Sequence, residues 1–298
     1  MEHLTDFTRR SFLAATALAG VSLATKTVPA QDRKPNHPFC AFVKFLQELS
    51  PEKLAETIAQ LGFDGIEATV RSQGQVLPER VEDDLPPLVE ALRQRNLEIT
   101  VMTTNVDRAD NPLHEKVLRT AAKLGVKRYR MGYFKYDLSK PVLPQLAQFK
   151  PILKDLAALN RELGMQAVYQ NHAGTNYVGA GLWDLRRLLE DIPVEQIGVA
   201  YDIRHATVEG GTTWPVTWNI IQPHLGMIYV KDFEWTGPKP QNVALGTGRV
   251  DPKFFQLVKE SDYRGPISVH VEYLHNDGLQ KNIDALGSDL QTLQKFLA

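Results

Sequence analysis

The sequence predicts a single (β/α)8 (TIM) barrel. Short β-branched runs alternate strictly with longer helical patterns, eight of each; such alternation calls for parallel strands joined through crossover helices. The chain left after its first thirty residues is 268 residues long, in the usual range for that architecture. The competing doubly wound sheet would carry a Gly-rich phosphate loop after its first strand, and none stands there; Gly246-Thr247-Gly248 comes too late to be one.

Residues 1–30 read as an export signal outside the barrel domain of residues 31–298. Thr8-Arg9-Arg10-Ser11-Phe12-Leu13 is a twin-arginine pattern. Phe12 to Thr25 is an uncharged run of about fourteen apolar and small residues, and Val28-Pro29-Ala30 offers a cleavage site. The run is too short to span a bilayer, so the expected location is periplasmic or otherwise extracytoplasmic, with no membrane span in the mature chain. The single cysteine, Cys40, rules out an internal disulfide.

The first strand is expected over 39–45. Ser50-Pro51-Glu52 then caps a helix that ends at Gly62. Residues 65–70 form the second strand and 84–96 its helix. The third strand runs over 99–104, and Asn111-Pro112 opens a helix that stops at Gly125. Residues 128–132 are the fourth strand, 144–163 a long helix ended by Gly164, and 166–172 the fifth strand. A helix over 183–190, the sixth strand over 197–202 and a helix over 218–224 follow. The seventh strand over 227–232, a helix over 252–261, the eighth strand over 266–273 and a closing helix over 283–297 complete the count.

Barrel enzymes work at the C-terminal ends of their strands, and here those ends are polar. Strand two carries Glu67, strand five ends Gln170-Asn171-His172, and strand six ends in Asp202, followed by Arg204 and His205. Strand seven holds Tyr229 and Lys231, and strand eight holds His270 and Glu272. Period-two alternation puts Gln170 with His172, Tyr229 with Lys231, and His270 with Glu272 on shared faces, pointing into the mouth if Val230 and Val271 face the helices. Taken alone, Asp202 reads as a helix cap and Lys231 as half of a structural pair with a carboxylate. Burying this many polar groups together is expensive unless they bind an ion, a ligand or each other. Oxygen and imidazole donors without thiolate suit Mg²⁺, Mn²⁺, Co²⁺ or Zn²⁺.

Over residues 38–298 the chain resembles the sugar phosphate isomerase/epimerase superfamily with the xylose-isomerase-like barrel, which also includes inosose dehydratases and metal-dependent abasic-site endonucleases. The resemblance is carried by Gly62-Phe63-Asp64-Gly65-Ile66-Glu67, Gln170-Asn171-His172-Ala173-Gly174, Asp202-Ile203-Arg204-His205, Val230-Lys231-Asp232, Leu245-Gly246-Thr247-Gly248-Arg249-Val250-Asp251 and His270-Val271-Glu272-Tyr273. It implies one divalent ion held by a Glu on strand five, an Asp on strand six, a His on strand seven and a Glu on strand eight. The two Glu residues would move protons at a carbon beside a metal-polarised carbonyl. Asp202 matches the strand-six ligand, Glu272 the strand-eight one, and His205 a substrate contact. Two positions depart: Gln170 stands where a Glu is expected and Tyr229 where a His is expected. Either His172 and His270, on the same faces, supply replacement ligands, or this branch works without the ion.

The resemblance thus implies a carbohydrate isomerase or epimerase. Glu272 is expected as the base, Lys231 or His205 as the acid, and Asp202, Glu272, His172 and His270 as candidate metal ligands. Gln170, Asn171, Tyr229, Arg204, Glu67 and Trp235 are expected to contact the sugar. A dehydratase or lyase on a keto-sugar or keto-inositol, and a sugar-binding barrel without turnover, are the alternatives. A nucleic-acid partner is not expected: cleavage after residue 30 leaves 31 basic against 33 acidic residues, without the basic excess that DNA binding requires.

Overall fold

A computed structural model describes residues 37–275 and 277–298; residues 1–30, which the sequence reading takes for an export signal, lie outside the described residues. The first barrel strand, β1 (Phe39–Phe42), leads into α1 (Pro51–Leu61). Ser50 caps α1 by accepting from the Lys53 backbone N–H at 3.3 Å, and Gly62 ends it at a φ of 85° that a side chain would oppose. Next come β2 (Gly65–Val70), α2 (Val81–Arg93), β3 (Glu98–Thr104) and α3 (Pro112–Lys123), the last capped by Asn111 Oδ1 on the Leu113 N–H at 2.9 Å. Then follow β4 (Arg128–Arg130), α4 (Val142–Leu163), β5 (Gln166–Gln170), α5 (Trp183–Leu189), β6 (Ile197–Asp202), α6 (Ile203–Gly210) and α7 (Trp214–Ile221). The chain continues through β7 (Leu225–Val230), a hairpin of β8 (Asp232–Thr236) and β9 (Lys239–Val243), α8 (Lys253–Glu260), β10 (Ile267–Val269) and α9 (Leu279–Leu297).

Eight parallel strands close in the order β1-β10-β7-β6-β5-β4-β3-β2. Closure is made where Phe39, Cys40 and Ala41 pair with Ile267, Ser268 and Val269. The expected (β/α)8 barrel is therefore the observed one. Outward side chains such as Ile66, Tyr129, Val199 and Val269 join the helices in one apolar layer, while Cys40, Val101, Val168, Ala200, Met227 and Tyr229 fill the barrel centre. This inner plug closes the barrel below the strand ends and makes the mouth a dead-end pocket. No helix among the described residues is long and apolar enough to cross a membrane.

Two features are additional to the elements expected from the sequence. Asp202-Ile203-Arg204-His205 turns directly into α6, because Asp202 Oδ1 accepts the His205 N–H at 3.1 Å and caps the helix. The β8–β9 hairpin, turning at Gly237, stands where a plain loop was expected.

Candidate active site

The mouth holds a cavity of about 170 Å³ lined by groups from β1, β2, β3, β4, β5, β7 and β10 and the turns that follow them. At its floor lies Lys231. Its Nζ is 2.9 Å from Glu272 Oε2 and 3.2 Å from Asp202 Oδ2, so one buried ammonium bridges two carboxylates. Lys231 can be delivered there because the next residue is locked. Asp232 Oδ1 accepts the N–H groups of Phe233 and Val250, each at 2.9 Å, and Oδ2 those of Gly246 at 3.0 Å and Gly248 at 2.9 Å. A Cβ on Gly248 would sit 2.3 Å from the Phe233 carbonyl oxygen, so only glycine lets the backbone come this close. The sequence pieces Val230-Lys231-Asp232 and Leu245-Gly246-Thr247-Gly248-Arg249-Val250-Asp251 are thus two halves of one anchor.

Asp202 is fully buried, with both carboxylate oxygens engaged. Besides Lys231 and the His205 N–H, its Oδ2 accepts from Gln170 Nε2 at 2.8 Å. Burial pushes its carboxyl up, but His205 and Lys231 outweigh this and hold it well below the usual range. Burial likewise opposes the charge on Lys231, and Asp202 with Glu272 restores it, raising the ammonium above its ordinary value. Glu272 reaches toward solvent, with 20% of its side chain exposed, and a second lysine, Lys44, stands 3.7 Å away. Burial is again overridden, by Lys231 and His270, and the carboxyl is lowered well below its ordinary value.

Around this centre, Glu67 is buried and fully hydrogen-bonded, accepting from Thr103, from Ser268 Oγ at 2.6 Å and from His270 Nε2 at 2.8 Å. Burial opposes charge on both partners, yet their mutual attraction raises His270 and lowers Glu67. His172 Nδ1 lies 2.8 Å from the Ala173 carbonyl, which can only accept; the neutral ring therefore carries its proton there and leaves Nε2 as a bare acceptor. Burial first, and then Lys231, keep the ring neutral by lowering its pKa.

The divalent ion that the resemblance implies needs converging oxygen and imidazole lone pairs. Among the described residues no three His, Cys, Asp or Glu side chains converge in that way. Both Asp202 oxygens are engaged, His270 Nε2 is turned to Glu67, His172 Nδ1 is turned to Ala173, and the gap between Asp202 and Glu272 is filled by an ammonium. The candidate ligand set Asp202, Glu272, His172 and His270 is corrected accordingly: the residues present do not fit the ion.

Residues 55–295 match the family described as xylose isomerase-like TIM barrel. The chain belongs to that family. Solved structures with the same fold include a xylose isomerase domain protein from Planctomyces limnophilus, at 16% identity and a TM-score of 0.66, covering 87% of this chain and 97% of that one. The probable 3-DHS dehydratase AsbF from Bacillus anthracis aligns at 14% identity and 0.67, covering 86% and 98%. D-allulose 3-epimerase from Methylomonas sp. aligns at 17% and 0.65, covering 87% and 97%. At these identities the likeness speaks for the fold. No curated protein matches the chain in sequence.

Of the residues expected at the mouth, Lys231, Glu272, His270, His172, Gln170 and Glu67 line the pocket. Asp202 lies behind Lys231, and five others stand elsewhere. His205 lies behind Asp202, with Nδ1 accepting from Arg204 at 3.0 Å and its ring 4.1 Å from that of His172. Arg204 also donates to the Pro240 carbonyl at 3.3 Å and so ties α6 to the hairpin. Asn171 clasps the Asp202 backbone from both sides, at 2.7 and 3.0 Å. Tyr229 belongs to the inner plug, its ring 4.5 Å from that of His270. Trp235, 43% exposed, packs edge-on against Phe233 on the hairpin, away from the pocket.

Sequence reasoning missed Arg130, Arg71 and Tyr133, all of which line the cavity. Arg130 had a signal, since in Arg128-Tyr129-Arg130 the tyrosine between faces the helices and the arginines face inward. Arg71 and Tyr133 follow their strands, where period-two alternation no longer applies.

Proposed function

We propose that the chain is an enzyme acting on a small carbohydrate, an isomerase or epimerase that removes and returns a proton at a carbon beside a carbonyl. The observation that carries this reading is the Lys231 ammonium held between Asp202 and Glu272 in the polar pocket at the barrel mouth, with the bare Nε2 of His172 across from it. β10 and β5, which precede Glu272 and His172, are three strands apart in a ring of eight and so face each other. A carbonyl oxygen against Lys231 gains a fixed positive charge as its own negative charge develops. Glu272 takes the proton from the adjacent carbon and becomes a neutral acid. Returning that proton to the neighbouring carbon, while the hydroxyl proton passes to the former carbonyl oxygen, is isomerisation. Epimerisation needs delivery from the opposite face: His172 Nε2 first takes up a proton from water and donates it to the carbon, and Glu272 returns its own proton to water.

A dehydratase is the second reading. The amide of Gln170 is engaged at both ends, by Tyr133 and by Asp202, so no second carboxylate stands in for the absent Glu. Elimination needs one base only, with the proton for the departing hydroxyl supplied by the Lys231 ammonium. Incubation with keto- and aldo-sugars in D₂O separates these outcomes. Deuterium in recovered or rearranged sugar supports isomerisation or epimerisation, and loss of water supports elimination. Neither, with any sugar that binds, leaves a binding barrel. Export through the twin-arginine pattern of residues 8–13 belongs to the same proposal and puts the substrate outside the cytoplasm.

A further inference from the structure

The pocket lining has more positive than negative charge. Lys44, Arg71, Arg130 and Lys231 face Glu67 and Glu272, with Asp202 behind. Every carboxylate is already engaged: Glu67 by Thr103, Ser268 and His270, Glu272 by Lys231 and Lys44, Asp202 by Lys231. Among the described residues, no carboxylate lies within ion-pair distance of Arg71 or Arg130.

Arg130 is only 3% exposed. Its Nη1 and Nη2 donate to the carbonyls of Met131 at 3.2 Å and Thr104 at 3.3 Å, and its guanidinium lies over the Tyr133 ring at 4.7 Å. Those contacts orient the group without neutralising it. Arg71 follows β2 in a turn pinned back onto the strand. Val76 N–H donates to the Thr69 carbonyl at 3.1 Å, and Gln75 and Thr69 bond each other through side chain and backbone at 2.9 Å. Burial and then the neighbouring Arg130 both work against the charge on Arg71. Two like charges held together in a pocket, with no carboxylate in contact and only the more distant Glu67 and Glu272 to offset them, leave room for a ligand that brings a closer counter-charge.

We propose that Arg71 and Arg130 form an anion clamp, and that the substrate is a sugar acid whose carboxylate they hold. The planar guanidinium fork suits a carboxylate, and the small cavity favours that group over a bulkier phosphate. β4, which carries Arg130, lies across the barrel from β7 and β10. A carboxylate held there leaves the other end of the molecule directed at Lys231 and Glu272. The inference rests on the carbohydrate reading above, but not on any particular reaction.

The test is calorimetric titration, at fixed ionic strength, of D-glucuronate, D-gluconate, D-glucose and D-glucose 6-phosphate into the mature protein, R71Q and R130Q. We expect the two sugar acids to bind wild type at least tenfold tighter than glucose. Each variant should lose at least tenfold of that affinity while circular dichroism shows it folded. R71Q alters a rim residue, so it keeps the test available should R130Q fold poorly. Equal binding of glucose, undiminished acid binding in R71Q, or no acid binding up to about 10 mM overturns the clamp. Tighter binding of the phosphate than of either acid overturns the carboxylate assignment. If the acids bind but no carbon exchanges with D₂O, the proton-transfer proposal fails while the clamp stands.

Discussion

Replacing Lys231 with methionine removes one charge from between two. Asp202, with no exposed surface, keeps Gln170 Nε2, the His205 N–H and the His205 ring at 3.6 Å but loses its nearest charge partner; Glu272 can turn to Lys44 and to water. Breaking a buried pair by deleting one member costs about 3–5 kcal/mol, and the two remaining donors to Asp202 put this case at the low end, about 3 kcal/mol. For a domain of this size that is a melting point lowered by roughly 6–12 °C. Activity should fall by about 10² or more, since the carbonyl loses its positive partner. A companion variant, K231A, leaves room as well as charge, so Mn²⁺ should raise its melting temperature and leave that of wild type unchanged. Thermal denaturation of the three proteins, each with and without 1 mM Mn²⁺ after chelator treatment, is the assay. A K231M protein melting with wild type, or a wild type that gains as much from Mn²⁺ as K231A does, refutes the view of Lys231 as the site's cation.

Glu272→Gln keeps the shape at the mouth and removes its one solvent-reaching carboxylate; turnover should fall by about 10²–10⁴ with little change in melting temperature. Full activity would move the base to His172, since Glu67 has no free oxygen. Buried Asp289, which accepts from the Leu245 N–H and from Tyr273 OH, is pushed up by burial from 3.8 to about 7. The folded state holds this proton where the unfolded chain has lost it, so stability should decline between about pH 4 and 7, by at most about 4 kcal/mol, and level off above. In urea titrations at pH 5 and 8 the D289N variant should lose that dependence; parallel behaviour of the two proteins would count against it. Arg9→Lys with Arg10→Lys should leave unprocessed precursor in the cytoplasm, visible on immunoblots of cell fractions; normal processing of the double variant would argue against twin-arginine export.

The alternation of strand and helix was legible because each strand is apolar on both faces at mid-length and each helix carries an apolar stripe, a pattern that length and period suffice to read. The ends were less so. The first and eighth strands were drawn through Phe45 and Tyr273, whereas their ladders stop at Phe42 and Val269; the rim residues beyond keep alternating in character after backbone pairing has ended. α6 escapes the sequence pattern because its cap, Asp202, doubles as the last residue of β6, so no separate capping residue announces it. At the mouth, the polar strand ends announced a site. What they could not reveal was which lone pairs were already engaged, because that depends on partners up to two hundred residues away, as in the contact of Glu67 with His270. Asp202 and Lys231 both turned out to hold two roles, cap and ion-pair partner for one, structural tie and mouth cation for the other.

The ammonium between Asp202 and Glu272 has a consequence for occupancy. A dissolved ion fills its site only as far as its free concentration allows and must give up translational freedom each time. A cation on a side chain is delivered by the backbone itself, at an effective concentration set by the strand that carries it. The Asp232 anchor shortens that tether to a single residue. The gap between the two carboxylates is therefore filled as soon as the barrel closes. It carries one positive charge where a divalent ion would carry two, trading electrostatic strength for permanence.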